Sequence, residues 1–451
     1  MASTYLSWTP SNTGTRNTFT WSFWVKRAKL GSYQKIHDAD YNNDSNYYCS
    51  LYFKNDDTIN MSNIDAGSTN ISWSTTRKFR DTSAWYHIVV TFDTTNGTAN
   101  DRIRCYVNGE RETLTGTFAV AQGTDNTFWN RSGNKNWIGA KSVSASDYLD
   151  ACLSHFHFID GTAYDASAFG ETDTTTGEWK AKTSPSVTYG TNGFLIFKDG
   201  NTITDQSSNS NDFTLGGGTL TDLKDNPDNT FATFNPLFKS NSLPTGGLSN
   251  GNSTAKTNGA DSTWRSAFSS IATPPSGKYY FEVKWSSGSH FIMGAASAPT
   301  LSKNNFKDLT DASYSGQYIC LYGSNWYSNG SNQSTYQSGI SLASGVIGMM
   351  ALDRDNNKIW FGVNGSWGGS QNPATNTGGQ SLPGDLDEFW NFGISSYSNS
   401  GTGEYQANFG NGYFGTTAIT SAGSNGNGSL FEYDVPSGYY ALNTKNINTY
   451  G

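Results

Sequence analysis

Pairs of carboxylates come first among the residues that could do chemistry, because two of them facing one cleft can hydrolyse a glycosidic bond. That reaction needs the two carboxyl groups about 5 to 9.5 Å apart on either side of the sugar. The strand spacing Glu-x-Asp-x-x-Glu, which would meet this need, is absent. The nearest run, Asp385-Leu386-Asp387-Glu388, has no leading Glu and follows a Pro-Gly turn. We interpret it as a surface loop and predict that the chain is not an enzyme.

The histidines offer a second route to chemistry. His155 and His157 stand two apart in the apolar run CLSHFHFID, so both could project from one face of a strand toward a metal if a third ligand were close. Because the run has the composition of a core strand, we favour hydrogen-bonded structural imidazoles. The sequence has no Ser/His/Asp motif, no Gly-rich phosphate loop and no paired Cys/His spacing. We therefore expect neither a cofactor nor a nucleophile.

The composition favours β structure and disfavours two classes of partner. Charged residues make up 15% of the 451 residues, aromatic residues make up 14%, and there are 49 glycines. No long Ala/Leu/Glu/Lys segment with helical periodicity is present. The net charge of −8, without a Lys/Arg cluster, argues against a nucleic-acid partner. No stretch approaches the roughly 20 apolar residues of a membrane helix, and the amino terminus does not resemble a signal peptide, so we expect synthesis in a cytoplasm without membrane insertion.

Cysteine usage argues against a disulfide scaffold. The four cysteines lie far apart without a CxxC pair, at Cys49, Cys105, Cys152 and Cys320. A disulfide scaffold would be denser in cysteine, and we favour buried free thiols over a bridge.

The first part of the chain reads as many short strands. Phe19, Trp21, Phe23 and Val25 alternate with mostly polar residues, which predicts a half-buried strand with large rings inward. Further strands are predicted at 46–53, 58–61, 71–73, 85–92, 102–107, 136–139 and 148–160. Asn108-Gly109 is a hairpin signal. Strands at this spacing without helices between them predict a sandwich of two antiparallel sheets.

Five ordered segments carry a resemblance. FTWSFWVKR, AWYHIVVTFD, RIRCYVNGE, WIGA and YLDACLSHFHFIDG resemble a concanavalin A-like jelly roll of the laminin G type, over roughly residues 1 to 165. The form with HFIDG followed by FGETD and TGEWK is similar to structural proteins of tailed bacteriophages. The resemblance implies calcium at the rim as one interpretation, with candidates in loops between early strands at Asp38, Asp40, Asp44, Asp56 and Asp57. A solvated acidic rim is the alternative.

A second resemblance rests on VIGMMALDRDNNKIWFGVNG, residues 346–365. Apolar residues on both faces of its first half predict a strand buried between two layers, Asp353 to Asn357 predict a turn, and Asn364-Gly365 predicts another. With GKYYFEV at 277–283 and PSGYYALN at 436–443, the segment resembles a SPRY (B30.2-like) domain over 263 to 447. The terminal PSGYYALNT is again similar to the phage-type variant.

These patterns predict two all-β jelly-roll domains. Residues 1–237 form the first domain with an extension that packs on it, 238–262 form a linker rich in Gly, Ser and Asn, and 263–451 form the second domain.

Binding of carbohydrate is the function that we expect from the loops, because sugars stack their C–H faces on aromatic rings and pair their hydroxyls with amides. We predict two places: Phe128-Trp129-Asn130 with Trp137, and Asn325-Trp326-Tyr327 with Trp367. Rings that cap the core or lie in a subunit interface are the alternative.

The resemblances imply a bacteriophage virion surface protein, assembled in the host cytoplasm alongside other virion proteins. We expect a tail-fibre or appendage component that attaches to host-surface glycan or mediates virion assembly, and the family leads us to expect a homotrimer. A head fibre or capsid decoration protein, a secreted bacterial adhesion lectin and a glycan-degrading enzyme are the alternatives.

Overall fold

The computed structural model describes residues 3–125, 128–239, 247–257, 263–301, 308–313, 316–384, 387–397 and 402–451, with residues 238 and 239 described by their backbone alone. The chain divides into two compact units, Met1–Asp222 and Leu223–Gly451. Both consist of β-strands in sheets that are almost entirely antiparallel, which confirms the predicted all-β class. No helix within these ranges is long and apolar enough to cross a bilayer.

The first unit contains strands β1 to β16. In chain order they are Tyr5–Trp8, Thr18–Arg27, Gln34–Asp40, Tyr48–Phe53, Ile59–Asp65, Ser68–Thr75, Tyr86–Asp93, Ile103–Val107, Glu110–Arg111, Leu114–Thr117, Lys135–Ile138, Ala151–Asp160, Gly170–Thr172, Trp179–Ala181, Phe194–Ile196 and Thr214–Gly217. Two 3₁₀ turns lie at Ala99–Asp101 and Ala166–Ala168.

Two sheets enclose the core of this unit. The eight-stranded sheet has the order β10-β6-β5-β4-β3-β11-β1-β16, and the six-stranded sheet has the order β15-β12-β2-β7-β8-β9. Rings of β2 pack against aliphatic side chains of β4 and β5 to fill the space between the sheets. The residues beyond 165 complete both sheets, since β15 pairs with β12 and β16 pairs with β1.

Strand β2 is buried on both faces, so the prediction of a half-buried strand is wrong. Phe19, Trp21 and Phe23 face the core as predicted and are fully buried. The other face is covered by residues 162–190, the covering segment, whose apolar side chains pack on the six-stranded sheet. Trp24, the one ring on the predicted polar side, is therefore 4% exposed and stacks on His87.

The second unit contains strands β17 to β33. In chain order they are Phe234–Lys239, Leu248–Ser249, Thr254–Lys256, Arg265–Ser269, Lys278–Ser287, His290–Ser297, Tyr318–Tyr322, Asn325–Ser328, Ser331–Thr335, Ile347–Asp353, Lys358–Val363, Gln380–Ser381, Trp390–Tyr397, Glu404–Asn408, Tyr413–Phe414, Thr417–Ala418 and Tyr440–Ala441. The helices are α1, Ala298–Leu301, and α2, Thr444–Tyr450, with a 3₁₀ turn at Pro373–Thr375.

Two further sheets form this unit. One has the order β17-β20-β29-β22-β23-β24-β25, and the other has the order β18-β19-β30-β21-β26-β27-β28, with β33 parallel to β21. The core between them contains Phe281, Met350 and Phe392. Residues 431–441 cover the outside of the second of these sheets through a separate cluster that includes Trp360 and Tyr439.

The central hairpin of the second unit is confirmed. Strands β26 and β27 pair from Gly348 with Val363 to Asp353 with Lys358. Met350 lies in the inner core while its neighbour Met349 lies in the outer cluster, so the strand is buried between two layers as predicted. Asn364 and Gly365 both have positive φ, 48° and 83°, as a tight hairpin turn requires. Asn108 and Gly109 have the same conformation, with φ of 48° and 85°.

The division between the units falls earlier than the predicted linker. Ala232 and Phe234, assigned above to the first domain, lie in the core of the second unit because β17 pairs with β20 there. Within the predicted linker, 247–257 form the hairpin of β18 and β19, and β19 pairs with β30. Residues 240–246 and 258–262 of that linker lie outside the described residues.

Candidate functional site

The outer side of the eight-stranded sheet of the first unit carries a set of aromatic and polar side chains, the aromatic face. In an antiparallel sheet, directly paired residues point to the same side. Two rows of paired residues therefore cross the sheet on the side opposite Ile36 and Leu51, which face the core. The rows are Ser7, Trp137, Asp38, Ser50 and Ser62, and Lys35, Tyr52, Asn60 and Ser74.

One end of the aromatic face is a stack of rings. The ring centroids of Tyr5 and Trp137 are 4.1 Å apart with planes 15° apart, and Tyr148 follows at 6.4 Å from Tyr5. Gly216 on the neighbouring strand makes room for this stack, because a Cβ there would overlap the ring of Tyr5. All three rings are half-buried, so each keeps surface that a ligand can contact.

The other end of the aromatic face consists of tyrosines around a lysine. Lys35 Nζ lies 4.0 Å from the ring centroid of Tyr52 and 5.8 Å from that of Tyr48, a cation–π geometry. Tyr33, 45% exposed, extends the surface, with its ring 6.1 Å from Tyr52. Burial raises the pKa of Tyr52 to about 12, so its hydroxyl stays protonated and can donate a hydrogen bond at neutral pH.

A buried ion pair, Lys35 with Asp38, connects the two ends of the aromatic face. Lys35 Nζ is 3.9 Å from Asp38 Oδ1, and Lys35 also donates to Ser50 Oγ at 2.9 Å. Asp38 accepts hydrogen bonds from the Ser50 hydroxyl and from the backbone N–H and hydroxyl of Ser142, at 2.9 and 2.7 Å. Burial lowers the pKa of Lys35 and raises that of Asp38, while their mutual attraction opposes both shifts. This ion pair and its hydrogen bonds hold the side chains beneath the aromatic face in place.

Asn60 supplies an unsatisfied group to the aromatic face. Its Nδ2 donates to Ser74 Oγ at 2.8 Å, while its Oδ1 is buried without a hydrogen-bond partner within the described chain. The side chain is 5% exposed. A buried acceptor left unpaired costs about 1–3 kcal/mol.

The chemistry available to the aromatic face is binding. Lys35 beside Ser50 has the composition of a nucleophilic dyad, yet Ser50 is fully buried and its hydroxyl donates a hydrogen bond to Asp38. Asp38 and Asp40 alternate along β3 as a carboxylate pair, yet they are 0% and 1% exposed. Neither arrangement can contact a substrate.

Only Trp137 of the predicted ligand residues of the first unit lies on this face, in β11, within the strand predicted at 136–139. Trp129 and Asn130, 0% and 1% exposed, are wrong as contact residues. Trp129 packs on Trp21 in the core at a centroid distance of 4.6 Å. Asn130 Nδ2 donates to Asp160 Oδ1 at 2.6 Å and to Thr15 O at 2.8 Å, which connects the loops around residues 15 and 130 to the end of β12.

The predicted ligand residues of the second unit do not come together. Asn325, Trp326 and Tyr327 lie in strand β24, so the loop prediction is wrong for them. Trp326 and Tyr327 point to opposite sides of their sheet, since the first packs on the inner core and the second on an outer cluster with Tyr322. Trp367 packs on Tyr280 outside the other sheet, at 6.3 Å. No shared binding surface results.

The five aspartates considered for calcium also do not converge. Asp38 and Asp40 belong to strand β3 instead of a loop. Asp57 is paired with Arg27 and Arg80 at 3.2 and 3.0 Å. Across the described ranges no three His, Cys, Asp or Glu side chains lie close enough to hold a metal ion. The residues present do not fit a calcium site, because each carboxylate accepts hydrogen bonds from nearby groups, including Asn43 for Asp40, Asn46 for Asp44 and Thr58 for Asp56.

The histidine pair is interrupted by a bulge in β12 between Ser154 and His157, where His155 has a φ of 48°. His157 is 2% exposed and bonds to the Tyr189 hydroxyl at 2.9 Å, which is the structural role that we favoured. The acidic run at 385–388 is described only at Asp387 and Glu388, and its first two residues lie outside the described residues. All four cysteines are free; three are buried and Cys152 is half-buried.

A protein-family model matches most of the first unit. Residues 1–167 match a laminin G-type family model described as the concanavalin A-like lectin/glucanases superfamily. No curated protein matches the chain.

Three solved structures are similar at low identity. The SPRY domain of human HERC1 shares 19% identity over 39% of this chain and 96% of that domain, with a TM-score of 0.28. The SAP-like pentraxin of Limulus polyphemus shares 19% over 36% of this chain and 71% of its own, with a TM-score of 0.27. Mouse laminin alpha1 domains LG4-5 share 10% over 90% of this chain and 85% of their own, with a TM-score of 0.29. The family match over residues 1–167 identifies a lectin-type fold and suggests a carbohydrate-binding or adhesion role.

Proposed function

We propose that the chain is a non-enzymatic carbohydrate-binding protein whose aromatic face contacts the sugar. The observation that carries the proposal is the stack of Tyr5 on Trp137 in one surface with Lys35, Tyr52 and Asn60. Aromatic rings bind the C–H faces of a sugar, and hydroxyls, amides and an ammonium group bind its hydroxyls. The lectin-type family match over residues 1–167 supports the proposal.

The ligand that fits best is an extended saccharide. Trp137 and Tyr52 lie at separate positions across the sheet, on β11 and β4, with β3 between them. Neighbouring strands are about 4.8 Å apart, and Tyr52 lies two residues, about 6.8 Å, along β4 from Ser50, which shares the row of Trp137. The two rings are therefore separated by roughly 12 Å, a distance that a saccharide of two or more sugar rings can span. A saccharide of two or more residues would stack on both ends of the aromatic face.

The direct test replaces one ring and measures affinity. We first identify a binding glycan on an array with the full chain, and then measure its affinity for Trp137→Ala by calorimetry. We expect affinity at least about tenfold weaker, because loss of one stacking ring removes about 1.4 kcal/mol or more. Trp367→Ala is the matched control, since Trp367 is a half-buried tryptophan of the second unit, and it should bind as the parent does. Equal affinity for Trp137→Ala would overturn the proposal.

The absence of hydrolysis is tested on the same glycan. Incubation with the full chain followed by an assay for new reducing ends should show no release of oligosaccharide. Release of oligosaccharide would make the protein a glycosidase instead.

We further propose that the protein is a structural component of a bacteriophage virion, exposed on the particle as a tail-fibre or appendage protein and homotrimeric. The support is the similarity of FGETD, TGEWK and PSGYYALNT to phage structural proteins. A map of the intact particle should show the two units on the tail with threefold symmetry. Density on the capsid would favour the head-fibre or decoration alternative. Absence of the chain from purified particles would favour a secreted adhesion lectin.

A further inference from the structure

A polar cleft of about 720 Å³ lies within the second unit, apart from every residue considered so far. Its walls come from residues 224–231, from 427–429 and from 443–450, including most of helix α2. This volume is in the usual range for a small-molecule site, about 300–1,000 Å³.

The floor of the cleft is built of buried side chains with unused hydrogen-bonding groups. Phe231 and Asn443 are each 1% exposed, Ser429 is 5% exposed and Asn446 is 7% exposed. Asn443 Oδ1 accepts from the N–H of Asn446 at 2.8 Å, and Asn446 Nδ2 donates to Ala441 O at 2.9 Å. The remaining groups, Nδ2 of Asn443, Oγ of Ser429 and Oδ1 of Asn446, have no hydrogen-bond partner within the described residues.

The rim of the cleft adds charge and an aromatic ring. Lys224 and Lys445 both line it, and neither forms an ion pair with any described residue. Asp228 is the one acidic side chain in the lining. Tyr450, 43% exposed, also lines the rim, with its ring stacked on Tyr440 at 3.7 Å. Two unpaired ammonium groups against one carboxylate favour an anionic ligand, although the chain as a whole carries a net charge of −8.

From this arrangement we infer that the second unit contains its own saccharide site, specific for sugars that carry a carboxylate, such as uronic acids. The amide and hydroxyl groups of the floor bind ring hydroxyls, Tyr450 contacts the apolar face of the sugar, and Lys224 with Lys445 binds the carboxylate. The site does not depend on the aromatic face of the first unit.

The experiment uses the full chain carrying Trp137→Ala, so that the aromatic face does not contribute. The probes are trigalacturonate and its fully methyl-esterified form, which has the same rings without the charge. Calorimetry should show binding of the acid and at least about tenfold weaker binding of the ester. Hydrogen exchange should show slower exchange at 224–231 and 443–450 when the acid is bound.

Substitutions at the rim complete the test, because they leave the buried floor intact. Lys224→Gln with Lys445→Gln should weaken binding of the acid about tenfold or more. Lys284→Gln, a lysine of the same unit on strand β21, should leave it unchanged. No binding of the acid, equal binding of the ester, or protection outside the cleft would each overturn the inference.

Discussion

At the scale of single residues, two tryptophans eight positions apart have opposite roles. Trp129 is enclosed in the core and Trp137 lies on the outer side of the same sandwich. Both tryptophans stand beside an asparagine, so the sequence predicts the same ligand-binding role for the two. A period of two cannot be extended through the irregular stretch between them. Only the pairing of Trp137 with Asp38 and Ser7 fixes which side it faces.

The first prediction separates these roles. Trp129→Phe should lower the free energy of unfolding by about 1–3 kcal/mol, since it leaves a cavity in the core, and it should keep the affinity for carbohydrate. Trp137→Phe should change stability little, by less than about 1 kcal/mol, and should weaken binding. Urea denaturation measures the free energy of unfolding and calorimetry measures the affinity. The reverse pattern would show that Trp129 belongs to the binding site.

A buried glutamate supplies the second prediction. Glu282 is fully buried on β21, where it accepts hydrogen bonds from the N–H groups of Glu432 and Tyr433, both at 2.9 Å, and from the Tyr280 hydroxyl. Burial raises its pKa from 4.5 to about 7, although those N–H groups act in the opposite direction. The folded chain therefore binds this proton more tightly than the unfolded chain does.

It follows that this carboxyl contributes stability that is fully present below about pH 4.5 and is lost as pH rises through about 7. The loss is on the order of 3 kcal/mol. Glu282→Gln should be less stable than the parent at low pH, because an amide nitrogen would face an N–H donor, and it should lack this part of the pH dependence. Urea denaturation from pH 4 to 8 tests it; a variant whose stability falls in parallel with the parent would contradict the assignment.

At the scale of elements, the covering segment is held to the six-stranded sheet by two neutral histidines. Trp179 Nε1 donates to His87 Nδ1 at 2.9 Å, and the Tyr189 hydroxyl bonds to His157 Nδ1 at the same distance. Burial lowers the pKa of His87 to about 3 and that of His157 well below 6.5, and neighbouring His155 lowers both further. The unfolded chain binds these protons more readily, so stability falls as pH drops below about 6.5.

The third prediction is therefore that residues 164–189 of the covering segment exchange their amide hydrogens faster at pH 4 to 5 than at pH 7, after correction for the intrinsic exchange rate. Trp179→Phe, which removes the donor and keeps a ring, should speed exchange there at pH 7 by an amount equivalent to about 1 kcal/mol. Trp360→Phe is the control, since Trp360 donates to Thr377 O in the other unit. Exchange that does not respond to pH or to Trp179→Phe would show that apolar packing alone holds the segment.

Elements were predictable from sequence where the signal is local. Apolar alternation located β2, β7 and β26, and Asn-Gly located two turns, because these depend on near neighbours in the chain. Strand β3 was missed: Gln34–Asp40 bears charges at Lys35, Asp38 and Asp40, and a bulge between Lys35 and His37 breaks the period of two. Since β3 lies between β11 and β4, missing it also hid the aromatic face.

At the scale of the whole molecule, the two proposed sites differ in how their affinity for ligand depends on salt. Stacking and hydrogen bonds to a neutral sugar do not depend on ions, whereas a pair of exposed lysines is screened by salt. The fourth prediction is that raising ionic strength from about 0.1 M to 1 M changes affinity at the aromatic face by less than about twofold and weakens binding of trigalacturonate to the second unit severalfold. Calorimetry with each ligand measures both, and the opposite pattern would show that the two sites have been assigned the wrong chemistry.

The most direct test of the central proposal is a crystal structure of the full chain with the glycan identified on the array. We expect density for the sugar over the outer side of the eight-stranded sheet, with one ring stacked on Trp137 or Tyr5. Bound sugar located elsewhere on the first unit, with the rings of Tyr5, Tyr52 and Trp137 uncontacted, would contradict it.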